Sequence, residues 1–173
     1  IRTIIPDEPT RASDLLLDFS KYIRKKLEHK DYFKLVPFAE ELEHIKTYLK
    51  LEEARFGDTI EVFYNCTDTN FRILPLTVQP FVENAIKHGL FTVKNGGKLY
   101  ISTYAAPNGD HVIEIKDNGV GFETNQLEES MKNKKAVGMR SAVVRLETVM
   151  KANVSIYSNS ETGTNVKIQI PKR

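Results

Sequence analysis

Several features that would place this sequence in a well-marked class of proteins are missing from it. Its 173 residues include one cysteine, Cys66, which excludes an internal disulfide framework and a cysteine-rich zinc site. The formal net charge is +2, so the composition does not indicate a nucleic-acid-binding surface. No run of residues is long and apolar enough to span a membrane. The P-loop motif, which ends in Gly-Lys-Ser or Gly-Lys-Thr, is also absent, so any phosphate must be bound in another way.

What the sequence does contain is typical of a soluble globular protein. Hydrophobic residues make up 40% and charged residues 28% of the chain, and the length suffices for one domain with an appended element. The chain begins at Ile1, without a methionine and directly in polar helical sequence. We therefore expect a fragment of a longer protein, in which a membrane anchor could lie outside this sequence.

An amphipathic helix is predicted over residues 10–28, where hydrophobic residues recur at helical spacing. Its apolar stripe is formed by Ala12, Leu16, Phe19, Ile23 and Leu27, and is widened by Leu15 and Tyr22. Such a stripe must pack against a partner, and two alternatives remain open: a second copy of the same helix, or the rest of its own chain. After a connector, a second helix is predicted from Pro37 to Arg55, ended by Gly57.

The rest of the sequence predicts a mixed arrangement of strands and helices. Alternating or β-branched runs predict strands at 59–66, 99–105, 111–116, 154–158 and 164–170. Helical periodicity predicts helices at 76–90 and 139–151. Asn108 and Gly109 stand between two alternating runs and predict a β-hairpin. The polar segment 123–137 has no periodicity, and we expect it to be a mobile loop.

The segment FVENAIKHG indicates one half of a magnesium–nucleotide site. Asn84, Lys87 and His88 stand at positions i, i+3 and i+4, so on a helix they share one stripe. The oxygen of an asparagine can ligate Mg²⁺, and a lysine one turn further on can reach a phosphate. Glu83 and Lys87 are also spaced i, i+4, so a simple surface ion pair remains an alternative interpretation.

The segment IKDNGVGF indicates the other half of that site. Asp117 ends an alternating run, and Gly119 and Gly121 follow it at once. A hydrogen-bond acceptor at a strand end, beside backbone that can be approached closely, suits the amino group of adenine. The Asp-Asn-Gly sequence is also a common turn, so the interpretation depends on the other motifs.

The order of these motifs resembles the nucleotide-binding boxes of the GHKL ATPase superfamily, which includes gyrase, MutL and the histidine kinases. Four segments carry the resemblance over residues 73–173: ENAIKHG, DNGVGF, VGMRSAVVRL and TGTNVKIQIP. Two earlier segments, DFSKYIRKKL and LVPFAEELEHIKTYLKLEEARFG, look like the region before the ATP-binding domain in LytS/YehU-type sensor histidine kinases. The segment PFVENAIKHG resembles the corresponding segment of that same group, so the resemblance spans most of the chain.

The resemblance implies a fold and an activity. The expected fold is α+β, a two-layer α/β sandwich of the GHKL (Bergerat) type with a mixed sheet covered by helices and an N-terminal amphipathic helix. Residues 1–35 would be the second helix of a dimerisation and phosphotransfer hairpin with its connector, and residues 36–173 the ATP-binding catalytic domain. This domain would transfer the γ-phosphate of Mg-ATP to an upstream histidine, for relay to an aspartate of a response regulator.

Partners and location are implied in the same way. The full-length kinase would form a homodimer through the N-terminal helix, would bind a response regulator and no nucleic acid, and would reach a bacterial inner membrane only through segments outside this sequence. The chain would be the cytoplasmic domain. In this family the phospho-accepting histidine lies in a segment similar to PHFLFN, which is absent here. We therefore expect the chain alone not to autophosphorylate completely.

Carried over residue by residue, the resemblance implies ten nucleotide-binding positions: Asn84, Lys87, His88, Asp117, Gly119, Gly121, Gly138, Met139, Gly163 and Thr164. Asn84 would ligate Mg²⁺, and Lys87 and His88 would face the phosphates or the ribose. Asp117 would accept a hydrogen bond from the adenine amino group. Glu83 and Lys87 are the catalytic candidates, Glu83 to orient or deprotonate the acceptor and Lys87 to stabilise the transferred phosphoryl group.

The glycines of the later boxes have implied roles as well. Gly119 and Gly121 would shape the pocket and hinge the polar loop. Gly138 would place the amides of a helix N-terminus near the phosphates, because the helix dipole favours an anion there. Gly163 and Thr164 would close the adenine end. Ala136 stands where the family usually has glycine, so two alternatives remain open at this end of the polar loop: a stiffer hinge, or a hinge that depends on Gly138 alone.

Other functions within the superfamily remain as alternatives. ATP-hydrolysing members such as gyrase and MutL use a catalytic glutamate one helical turn before the Mg²⁺ asparagine, and here that position is Pro80, which cannot act as a base. An anti-sigma-type serine kinase shares the boxes but lacks the long preceding helices. A degenerate scaffold would fail to bind Mg-ATP.

Overall fold

The computed structural model describes residues 4–28, 32–57, 59–90, 93, 96–122 and 137–172. The helices are α1 (Pro9–Glu28), α2 (Phe38–Phe56), α3 (Gln79–Asn84) and α4 (Val137–Met150). A π-helical turn, Ala85–Leu90, continues α3 directly. The strands are β1 (Val36–Pro37), β2 (Ile60–Cys66), β3 (Arg72–Ile73), β4 (Gly97–Ala105), β5 (His111–Asp117), β6 (Asn153–Asn159) and β7 (Gly163–Ile170). None of the helices described is long and apolar enough to cross a membrane.

A five-stranded mixed sheet, in the order β2-β4-β5-β7-β6, forms one layer of the structure. β2 and β4 run parallel, with α3 in the connection between them, and the other neighbours are antiparallel. The hairpin predicted from Asn108 and Gly109 joins β4 to β5, and Gly109 has the positive φ (86°) that glycine adopts without strain. The five longer strands were predicted. β1 and β3, two residues each, are too short to show periodicity.

The hydrophobic core lies between this sheet and the layer of helices. Alternate residues of β4 are buried, Leu99 and Ile101 among them, whereas Lys98 and Tyr100 on the other face are exposed. Each large apolar side chain buried in this way contributes about 1.5–3 kcal/mol. Tyr100 stacks on Phe63 with 4.9 Å between ring centroids, on the exposed face of the sheet. One face of the sheet is therefore packed and the other is open.

Helix α1 packs on α2 through one edge of its apolar stripe. Leu15 is 2% exposed, and Tyr22 stacks on His44 of α2 with 4.9 Å between ring centroids. Leu16 and Phe19, by contrast, are half exposed, at 50% and 48%. The two residues expected only to widen the stripe thus contact the helix's own chain, whereas most of the predicted stripe remains at the surface of this chain.

Helix α3 begins three residues later than the predicted start of the helix at Leu76. Leu76 has a φ of 54°, in the left-handed region that excludes it from an α-helix. The predicted helix also changes type, because residues 85–90 form a π-helical turn. The expected mobile loop, with Ala136, lies outside the described residues except for Val137, which begins α4.

Candidate nucleotide site

Asp117 lies at the end of β5, as the alternating pattern predicted, and the structure shows it to be buried. The residue is 3% exposed, and its Oδ1 atom accepts hydrogen bonds from the amides of Gly119 (2.8 Å) and Thr164 (3.2 Å). Burial raises the pKa of the Asp117 carboxyl above its ordinary value, although the two N–H donors act to lower it. The carboxyl group is therefore held through Oδ1 by backbone amides of two different chain segments.

Three chain segments meet around this carboxyl group, at Gly89, Gly119 and Gly163. They can come this close because glycine has no side chain. A Cβ atom on Gly119 would lie 2.4 Å from the Cα of Gly89, and Val120 donates a hydrogen bond to the Gly89 carbonyl (3.1 Å). Gly163 has a φ of 80°, and a Cβ atom there would lie 2.2 Å from the Asp117 carbonyl oxygen. Larger residues at these two glycines would separate the end of the π-helical turn and the start of β7 from Asp117.

Two hydroxyl groups, of Ser158 and Thr164, lie where the end of the IKDNGVGF segment is hydrogen-bonded to the β6–β7 hairpin. The hydroxyl groups of Ser158 and Thr164 lie 3.0 Å apart, and Ser158 Oγ accepts a hydrogen bond from the Phe122 amide (2.9 Å). Gly121 adjoins the same hairpin, since a Cβ atom on it would lie 1.9 Å from the Asn159 carbonyl oxygen. Ser158 was not predicted as a site residue, because a serine in an alternating strand carries no distinguishing signal.

The second group of predicted residues lies along α3 and the start of α4. Asn84 is half-buried and lies one helical turn after Pro80. A Cβ atom on Gly138 would lie 3.9 Å from the Cβ of Pro80, so α4 begins beside the face of α3 that carries Asn84. Met139 is 8% exposed and belongs to the hydrophobic core, which leaves its backbone amide as the group available to a ligand.

The two catalytic candidates contact each other. The ammonium group of Lys87 lies 3.0 Å from Glu83 Oε2, so the i, i+4 ion pair considered from sequence is formed. Glu83 also faces α1, since its Oε1 atom lies 3.6 Å from the ammonium group of Lys26. The same atom accepts a hydrogen bond from Nε2 of Gln79, one turn earlier on α3 (2.5 Å). Burial alone would raise the pKa of Glu83, but Lys87 and Lys26 outweigh it and lower the pKa. His88 is exposed on the π-helical turn.

The donor set at α3 fits Mg²⁺ held mainly by a nucleotide. Among the described residues, no group of three or more His, Cys, Asp or Glu side chains could hold a metal ion. Mg²⁺ commonly takes one or two protein oxygens and completes its shell with substrate phosphates and water. The amide oxygen of Asn84 is a hard donor of the kind that this arrangement requires.

Two family models match the chain in adjacent regions. Residues 70–173 match the family described as histidine kinase-, DNA gyrase B-, and HSP90-like ATPase. Residues 1–60 match the family described as histidine kinase. The first match covers all ten of the predicted nucleotide-binding positions, and the second covers α1 and α2.

Individual proteins are similar to the chain over most of its length. Sensor histidine kinase YpdA of Escherichia coli (strain K12) is 32% identical over 95% of this chain and 29% of its own. Sensor protein LytS of Oceanobacillus iheyensis is 34% identical over 73% of this chain and 22% of its own. The chain thus spans less than a third of each of these relatives. The solved structure of Acinetobacter baumannii histidine kinase AdeS has a TM-score of 0.62 and 17% identity, covers 91% of this chain and 75% of its own, and shares the fold.

Proposed function

Because the chain belongs to the family of histidine kinase-, DNA gyrase B-, and HSP90-like ATPases, we propose that it is the ATP-binding catalytic part of a sensor histidine kinase. The observation that carries this proposal is the buried Asp117 carboxyl group, enclosed by three glycine-containing segments. The histidine kinase match over residues 1–60 supports a kinase rather than a hydrolase. Pro80 supports the same choice, since it cannot act as the base that the hydrolases require.

At the adenine end, Asp117 would accept a hydrogen bond from the exocyclic amino group. Both hydrogen bonds to this carboxyl from the described residues fall on Oδ1, so Oδ2 is the acceptor that we assign to adenine. Thr164 would contact the base beside it, because its amide already lies against the same carboxyl group. An acceptor fixed by backbone amides favours adenine over guanine, whose corresponding position is a carbonyl.

At the phosphate end, Asn84 would hold Mg²⁺ and the first amides of α4, at Gly138 and Met139, would face the phosphates. When bound, Mg²⁺ would neutralise the phosphate charge. Lys87 would contribute a further positive charge, together with His88. The Lys87–Glu83 pair is half exposed and worth about 1 kcal/mol or less, so Lys87 can exchange it for a phosphate oxygen.

The reaction would be a phosphoryl transfer to a histidine upstream of this sequence. A nitrogen of the acceptor imidazole would form a bond to the γ-phosphorus as the bond to the bridging oxygen breaks, and ADP would leave. Glu83 would orient the acceptor or take up its proton. A response-regulator aspartate would then receive the phosphoryl group.

The exposed residues of the α1 stripe would pair with a second copy, and segments outside this sequence would anchor the kinase in a bacterial inner membrane.

Nucleotide selectivity tests the proposal. Asp117→Asn replaces an acceptor by a group that is part donor, so ATP affinity should fall at least tenfold while the weak affinity for GTP changes little. Asp14→Asn, an exposed aspartate on α1, is the matched control. Calorimetry with each nucleotide and Mg²⁺ gives both affinities. Equal loss of both nucleotides, or no loss of either, would contradict the role of Asp117.

A second experiment tests the transfer. The chain alone, incubated with ATP labelled in the γ-phosphate, should acquire no acid-labile label, because the acceptor segment is outside it. A separately supplied helical hairpin that contains the acceptor histidine should become labelled when the chain and Mg²⁺ are present. Acid-labile label on the chain alone would show instead that one of its own four histidines is an acceptor.

A further inference from the structure

The segment that leads into α3 is held from two sides at a single residue. Leu76, with its left-handed φ of 54°, donates its amide hydrogen to Glu41 Oε2 (2.8 Å). Its carbonyl oxygen accepts a hydrogen bond from a terminal guanidinium nitrogen of Arg145 (2.9 Å). A non-glycine residue in this region costs about 1–2 kcal/mol, so the surrounding contacts must impose the conformation.

Glu41 serves as the N-terminal cap of α3, although it belongs to α2. Helix α3 has no capping side chain at Val78 and no acidic residue in its first turn. Glu41, 3% exposed, fills this role from a distance, because its Oε1 atom accepts hydrogen bonds from the amides of Val78 (3.0 Å) and Gln79 (3.4 Å). A carboxylate at this point also complements the positive end of the helix dipole.

Arg145 ties the same segment to α4. It donates a hydrogen bond to the Pro75 carbonyl (3.0 Å) as well as to that of Leu76, so two adjacent carbonyls are bound by one guanidinium group. Gly138 lies at the start of α4, the end that we assign to the phosphates, and Arg145 lies two helical turns further along the same helix. The guanidinium group therefore links the entry of α3 to a rigid helix whose start belongs to the candidate site.

We propose that Glu41 and Arg145 are positioning residues, which fix α3 relative to α4 and so place Asn84 opposite the first amides of α4. The inference rests on the proposed function, because Asn84 and those amides matter only if they share one Mg²⁺-bound nucleotide. Since α3 has no cap of its own, its direction depends strongly on the contacts of Glu41 with its first amides. Loss of either contact would move Asn84 while the Asp117 cluster, at the far end of the π-helical turn, keeps its own hydrogen bonds.

Glu41→Gln and Arg145→Lys test this role, with Glu40→Gln, an exposed neighbour on α2, as the matched control. Glutamine keeps the shape of Glu41 but presents one acceptor oxygen to three amides, and lysine keeps the charge of Arg145 but not its two-pronged geometry. Each variant should bind Mg-ATP about tenfold more weakly, because a displaced Asn84 meets the nucleotide-bound metal in poorer geometry, and should bind adenosine within about twofold of wild type. The control should change neither affinity.

Native-state amide exchange supplies a readout that does not require nucleotide. The amides of Leu76 and Val78 should exchange faster in Glu41→Gln than in wild type, at a temperature where circular dichroism shows both to be folded. If the role were purely structural, the affinities for Mg-ATP and adenosine would fall together, or only the thermal stability would fall. Either result overturns the proposal. Arg145→Lys retains the positive charge and an N–H donor group, so it keeps the test decisive if Glu41→Gln fails to fold.

The failure of this inference is distinguishable from that of the proposed function. If wild type binds Mg-ATP and both variants behave like Glu40→Gln, only the positioning role is wrong. If wild type binds neither Mg-ATP nor adenosine, the proposed function is wrong and the positioning role falls with it. A tenfold loss confined to Mg-ATP, with faster exchange at Leu76, supports both.

Discussion

The ammonium group of Lys26 on α1 lies 3.6 Å from the carboxylate of Glu83 on α3. Tyr22, one turn earlier on α1, accepts a hydrogen bond from Gln79 Nε2 (2.6 Å), and the same Gln79 group also contacts Glu83. Helix α1 and the helix that carries Asn84 are therefore joined by a polar cluster that includes Glu83, one of the two catalytic candidates. Movement of α1 would alter the charge environment of Glu83 directly.

Replacement of Glu83 should give a pH-dependent loss of stability. The pKa of Glu83 in the folded protein lies below its ordinary value of 4.5, so ionised Glu83 stabilises the fold above that pH. Glu83→Gln should lower the free energy of unfolding by about 1 kcal/mol at pH 7. This difference should shrink as the pH falls below 4.5 and vanish once folded Glu83 is protonated. Urea unfolding at a series of pH values measures it, and a difference that grows on acidification would contradict the assignment.

Asn84→Ala should remove the Mg²⁺-dependent part of ATP affinity without unfolding the protein. Asn84 is half-buried and lies outside the hydrophobic core, so the fold does not depend on its side chain. Loss of one metal ligand should lower the affinity for Mg-ATP by about tenfold or more. The affinity for ATP in EDTA, where no metal is present, should stay as in wild type. Calorimetry measures both, with the exposed Asn70→Ala as control. Mg-ATP affinity equal to that of wild type would refute the metal assignment.

A pair of adjacent substitutions tests how α1 packs. Leu15 is 2% exposed, so Leu15→Ala should lower the free energy of unfolding by about 2–4 kcal/mol. Leu16 is half exposed, so Leu16→Ala should lower the free energy of unfolding of the monomer by about 0.5 kcal/mol or less. Denaturant unfolding with light scattering measures stability and oligomeric state together. A large, concentration-dependent cost at Leu16 would show that the exposed stripe is buried between two copies.

Lys151→Gly should stabilise the protein. Lys151 follows α4 with a φ of 57°, and the amide of Ala152 closes the helix end on the Leu146 carbonyl (3.1 Å). Glycine adopts this φ without the cost that a lysine side chain brings, and the gain after its greater freedom in the unfolded chain should be about 0.5–1 kcal/mol. Thermal unfolding measures it, with Lys167→Gly in β7 as a control that should destabilise. A lower melting temperature for Lys151→Gly would contradict this explanation.

Much of the fold could be predicted because it follows from local patterns. The alternation around Ile101 and Ile113 predicted two strands, and Asn108-Gly109 predicted their hairpin. The α+β sandwich that the resemblance implied is confirmed by the mixed sheet and by its similarity to a solved histidine kinase. The division of the chain near residue 35 and the roles of the individual site residues stay predictions.

What sequence patterns missed depends on contacts between distant residues. No local signal places Leu76 in a left-handed conformation, because Glu41 and Arg145 impose it from other helices. The π-helical turn after Asn84 has no recognised sequence pattern. Periodicity located the apolar stripe of α1 but could not show that Leu15, rather than Leu16, faces α2.

The cap of α3 has a consequence for how the chain folds. Its acceptor, Glu41, stands 37 positions before Val78. Arg145, which donates to the Leu76 carbonyl, stands 69 positions after Leu76. Even with the π-helical turn that continues it, α3 is too short to be stable on its own, so it should form only when α2 and α4 are already in place. Chains truncated before Arg145 should therefore lack an ordered Asn84 helix even though its whole sequence is present.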